Sequence, residues 1–172
     1  MYTKMILGAL GLVALAACTP APQSASEMRD VVKNGAFMSD YQTHKVARSY
    51  SAVASSIRQG ANKCFNRNFQ SRSTYSPGPG MAPVTQVMNV YYKAEPRSNG
   101  SRMEVPVHRR MGSGKKTILG TDTQGIFYLI DVAPASGGTK IELYGGKMGY
   151  GAMNAAVLSW AKGGSIRCPD LV

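Results

Sequence analysis

Apolar residues change their period several times along this chain, and the changes mark its elements. Met5 to Ala14 is an apolar run with no polar face, inside residues 1–18, MYTKMILGALGLVALAAC. It is too short to span a bilayer, which takes roughly 20 apolar residues. Pro20 and Pro22 follow it, which argues against a buried N-terminal helix. Thr19 to about Asp40 opens Pro/Ala/Ser-rich and reads as a flexible tether, with Glu27–Lys33 open to a short helix. Tyr41–Arg48 reads as an entry strand. From Tyr50 the period lengthens: Tyr50, Val53, Ala54, Ile57, Ala61 and Cys64 form the stripe of an amphipathic helix, which Gly60 weakens and marks for an early end. Residues 70–83, with three prolines and two glycines, read as a loop. Period two returns in Val87–Tyr92, in Met103, Val105 and Val107, and in Ile126–Val132, the most apolar strand and so the central one. Gly137-Gly138 predicts a hairpin turn into Thr139–Tyr144. A last helix is predicted over Tyr150–Lys162, its inward face Met153, Ala156, Val157, Trp160 and Ala161, with Gly163-Gly164 as its stop.

The order is strand, helix, four strands, helix. Short turns between consecutive strands predict an α+β domain over residues 41–172: an antiparallel sheet of about four to five strands with two helices packed on one face. The element order is similar to helix-grip modules, including those of barrel-assembly lipoproteins, and that resemblance implies a two-layer sandwich. At 172 residues and 44% hydrophobic the chain is one domain with one core and short extensions.

The N-terminus adds chemistry. Lys4 supplies a short positive region ahead of the apolar run, and small residues follow it, as in an exported leader over residues 1–17. Leu15-Ala16-Ala17-Cys18 resembles the bacterial lipobox. The resemblance implies cleavage before Cys18, a diacylglycerol on its sulfur, an acyl group such as palmitate on the new amine, and residues 18–40 as the lipidated tether. Thr19, where inner-membrane retention signals place Asp, implies sorting to the periplasmic face of the outer membrane. With Cys18 lipidated, Cys64 and Cys168 remain, an even pair that reads as a disulfide in an oxidising envelope; two separate buried thiols are the alternative.

Charge narrows the partners. The net charge is +11, and removal of Lys4 with the leader leaves 19 Lys+Arg against 9 Asp+Glu, a net +10. Such a domain is drawn to anionic envelope components or an acidic protein complex; export argues against nucleic acid. The candidate contact residues are Arg97, Arg102, Arg109, Arg110, Lys115 and Lys116, a stretch with Glu104 as its only acid.

Catalytic signals are weak. Gly112-Ser-Gly-Lys-Lys-Thr117 is similar to a phosphate-binding loop but misses its spacing and joins two strands. Gly145–Gly151 reads as a loop that allows close backbone approach. The nine acids make no close pair on one strand or helix face, and Asp131 reads as an outward strand-end residue. His44 and His108 stand apart from each other and from the cysteines, so no metal or cofactor site is expected. The expectation is a non-catalytic, outer-membrane-anchored scaffold or docking lipoprotein. A carrier of a lipid or other apolar ligand, or a periplasmic enzyme, are the alternatives.

Overall fold

A computed structural model describes residues 21–36, 38–112 and 123–171, with the side chain of Thr123 left aside. Its elements are α1 (Ala25–Lys33), β1 (Ser39–Val46), α2 (Tyr50–Cys64), β2 (Arg67–Tyr75), β3 (Val84–Ala94), β4 (Arg97–Asn99), β5 (Arg102–Gly112), β6 (Thr123–Ala135), β7 (Gly138–Gly146) and α3 (Gly151–Ala161). The strands form one antiparallel sheet in the order β1-β7-β6-β5-β3-β2, with the short β4 paired to the start of β5.

The α+β class and the antiparallel sheet agree with the sequence, but the strand count exceeds four to five. The added strands are the three-residue β4 and the longer β2. Residues 70–75, expected in a loop, pair with β3 from Gln70↔Asn89 to Tyr75↔Val84. Prolines and glycines are confined to residues 76–83, which form the actual loop. Period two is absent from β2 because this end of the ribbon is exposed on both sides, so no face needs apolar residues.

Helices α2 and α3 pack together on one face. Val53, Ile57, Ala61, Val157 and Trp160 meet Val105, Val107, Ile130, Val132, Ile141 and Leu143 in the main core. Gly60 does not end α2; it lies under Trp160, where an added Cβ would sit 2.3 Å from Cε3 of the indole. Cys64 is bonded to Cys168, which ties the end of α2 to the C-terminal tail.

The third helix is the larger departure from two helices on one face. α1 lies on the opposite face, where Ala25, Met28 and Val32 cover Ile126, Leu129 and Tyr144. Ser24 caps it by accepting from the Glu27 N–H (3.2 Å), and the Glu27 carboxylate accepts from the Gln23 N–H (2.7 Å), close to a capping box. Part of the expected tether is therefore a docked element. A register shift between Val107 and His108 leaves Phe127 without a partner on β5. Phe127 turns to the main core while Ile126 joins Leu129 under α1.

Candidate functional site

The N-terminal segment is fastened to the sheet before α1 begins. Pro22 O accepts from the Ile126 N–H at 2.7 Å. The Gln23 side-chain amide donates to Gln124 O and Ala21 O, both at 2.8 Å. The methyl of Ala21 occupies the space a side chain at residue 125 would need: a Cβ on Gly125 would lie 2.5 Å from that of Ala21 and 3.0 Å from Pro22 O. Glycine at 125 is what admits the segment. Ala21, three positions after Cys18, is thus part of the fold.

Beside this seam lies an open groove of about 240 Å³, lined by Met28, Val31, Val32, Ile126, Phe127 and Tyr150 among others, with Arg109 its one charged lining residue. Met38, also in its wall, holds a left-handed backbone at φ 63, uncommon without glycine. The guanidinium of Arg109 lies 5.3 Å over the Phe127 ring, which stacks on Tyr92 at 4.6 Å and meets Tyr150 at 5.9 Å. Burial raises the Tyr92 and Tyr150 hydroxyls above 10.0, and the nearby Arg109 charge offsets part of this in both. Arg109 is thus held by aromatics at the rim of an apolar groove. Gly145 and Gly146 lie against the ring of Tyr150, the close backbone approach expected of that loop.

On the α1 face, three carboxylates stand abreast: Glu104 opposite Asp131, and Asp131 opposite Glu142, on β5, β6 and β7. Pairs on a single strand or helix could not reveal this row, which exists only across the register. Directly opposed like charges repel, and the row is neutralised from several sides. Arg29 of α1 donates to both Asp131 oxygens (2.7 and 2.8 Å) and to Glu104 (2.6 Å). Arg97 meets Glu104 at 2.9 Å, Lys140 meets Glu142 at 3.1 Å, and the Tyr41 hydroxyl donates to Glu142. Asp131 is therefore not an outward strand-end residue. It is 2% exposed, and its partner comes from the segment expected to be a tether. Burial works to raise Glu104, but the Arg29 and Asn99 hydrogen bonds and the Arg29 and Arg97 charges bring it below 4.5. Glu142 is lowered in the same way by Tyr41 and Lys140 against its burial. Each carboxylate is committed to a cation or a hydroxyl, so the row fastens α1 and does not present a free acid or base.

The expected basic cluster is divided. Arg97 on β4 lies beside the start of β5, where Arg102 stands, and Arg109 and Arg110 lie near its end, eight residues or about 26 Å along the strand from Arg102 to Arg110. Lys115 and Lys116 lie outside the described residues, as do Cys18 and the rest of the lipobox. His44 on β1 bonds Gln42 at 3.2 Å, three strands from His108, whose Nε2 stands 3.7 Å from Glu95. Burial lowers His108 below 6.5 against the pull of Glu95. No group of three metal-capable His, Cys, Asp or Glu side chains occurs among the described residues, and no described helix is long and apolar enough to cross a membrane. The chain matches no protein-family model and no curated protein.

Proposed function

We propose that the protein is a lipid-anchored envelope lipoprotein, acylated at Cys18 and held on the periplasmic face of the outer membrane, where its domain acts as a non-catalytic docking scaffold. The observation that supports this best is the seam at Gly125. With Ala21 and Pro22 built into the sheet, only Thr19 and Pro20 separate the domain from Cys18, and the three steps from Cys18 to Ala21 reach about 11 Å at most. Such a domain rides on the lipid surface and is presented in a fixed attitude, unlike a domain on a free tether. The net charge of +10 after leader removal favours an anionic surface or an acidic partner, with Arg109 and Arg110 at the anchored end and Arg102 at the far end. Helix-grip modules of envelope lipoproteins, similar in element order, are consistent with a docking role. The groove keeps a second reading in view: an apolar wall with one arginine suits the acyl chain and acidic head of a lipid, although 240 Å³ falls below the range of sites that enclose a whole drug-sized ligand.

Fractionation of cells carrying the wild type and Cys18→Ala tests the anchor. The wild type should sediment with outer membranes, and the variant should appear unprocessed or in the soluble periplasm. Equal membrane association of a processed Cys18→Ala protein contradicts the proposal.

A further inference from the structure

Among the described residues, the β2–β3 ribbon runs past the end of β5 on the side where the chain leaves towards Cys18. β5 ends at Gly112, opposite Asn89, while β3 continues outward to Val84, paired throughout with β2. Five residues at about 3.3 Å carry the ribbon roughly 17 Å past that point. The same end holds the start of β6, with Ala21 against Gly125, and the loop between β7 and α3. Among the described residues, the large hydrophobic side chains left exposed are Tyr75, Met81, Val84, Val87 and Tyr91 on the ribbon, Met148 in that loop, and Tyr41. Met81 is 62% exposed and Met148 72%. From Ser73 to Tyr92 the sequence carries no charge, in a chain with 29 charged residues, 20 basic and 9 acidic. Uncharged backbone turns, prolines and a tyrosine at the tip are the composition a membrane interface accepts, whereas an exposed apolar tip in water is a liability.

We propose that the β2–β3 ribbon is a second membrane contact: its tip, Tyr75 to Val84, inserts into the interfacial region of the leaflet that carries the Cys18 anchor. This rests on the lipid-anchor reading above, which fixes which end of the domain faces the bilayer. Two points of attachment, the acyl chains and the ribbon tip, then define a membrane-facing edge. The start of β5 and the β6–β7 turn at Gly137-Gly138 face away, towards soluble partners.

The test uses the full chain, purified with its N-terminal modification and reconstituted in phosphatidylethanolamine–phosphatidylglycerol vesicles with brominated acyl chains. Trp160, fully buried in the core, is an internal reference that bromolipid should leave bright. The Met81→Trp protein should lose most of its added emission in brominated vesicles and keep it in unbrominated ones. As a check without substitution, amides of residues 76–83 should exchange more slowly on vesicles than in detergent-free solution of the released domain. Unquenched Met81→Trp emission from a chain whose intact mass shows acylated Cys18 overturns the insertion and leaves the anchor standing. A chain without acyl groups overturns the anchor and this proposal with it. A photo-crosslinker at position 81 that captures a protein in intact envelopes, with no lipid quenching, assigns the tip to a protein partner and overturns the proposal as well.

Discussion

Gly60 lies so close to Trp160 that even one methyl group would collide with the six-membered ring. Helix propensity alone favours alanine there by about 1 kcal/mol, while overpacking a filled core costs about 1–3 kcal/mol. Gly60→Ala should therefore lower the urea midpoint, and a raised midpoint would show that the indole moves aside freely. Arg29 is the second residue on which much depends. Arg29→Met leaves Glu104 and Asp131 facing each other without their shared cation. Removing one partner of a buried pair costs about 3–5 kcal/mol, and with the Arg29 side chain 19% exposed the lower end is expected. Denaturant melts give the loss, and an NMR titration should show Glu104 moving up from its depressed value. Stability should also fall with acid. His108 is held below 6.5 by burial, so from about that pH downward the unfolded chain takes up a proton the folded one refuses. Glu104 and Glu142 are held below 4.5, so their contribution is complete above that pH and is lost as pH falls through their folded values. Thermal midpoints should decline gently below about pH 6.5 and steeply below 4.5, with His108→Gln removing the gentle part. A midpoint that climbs on acidification contradicts this assignment.

At the scale of elements, the best-read segments were those whose one buried face writes a period into the sequence. The stripe from Tyr50 to Cys64 matches α2, and Met153, Val157, Trp160 and Ala161 are the buried residues of α3. The loop end of β2 left no period because neither face there is buried, and hydrogen bonding to β3 needs no particular side chain. Helix α1 had a legible start, Ser24 with Glu27 three residues on, but the Pro/Ala/Ser-rich approach hid it. Its docking could not be read at all, since Arg29 finds Asp131 across 102 residues. The seam at Gly125 belongs to this scale too. Gly125→Val should expel Ala21, so the Ile126 amide should exchange faster and trypsin should cut after Arg29 sooner than in the wild type, while the main core on the far face keeps its protection. Unchanged exchange at Ile126 would mean that the segment binds without needing the glycine.

Across the whole molecule, one cross-link ties the fold together, and the proposed lipid anchor would place it. The Cys64–Cys168 bond closes 104 residues, a loop for which chain entropy gives about 4–5 kcal/mol. Replacing both cysteines with serine should lower the unfolding free energy by an amount of that order, read from urea melts under non-reducing conditions. The pairing was legible from the two cysteines that remain once Cys18 is set aside for the expected lipid. The carboxylate row and the projecting β2–β3 ribbon were not, because each depends on the register that brings distant strands abreast. Six arginines and lysines within 20 positions suggested a single patch, whereas the extended β5 carries Arg102 and Arg110 to opposite ends of the sheet. The proposed lipid on Cys18 would hold this domain against a membrane. Intact-mass spectrometry of the mature full chain, extracted from envelopes, tests it most directly. The expected mass is that of a chain beginning at Cys18 with a diacylglyceryl group and an amide-linked acyl chain added. A mature chain that retains residues 1–17, or that carries no acyl mass at Cys18, contradicts it.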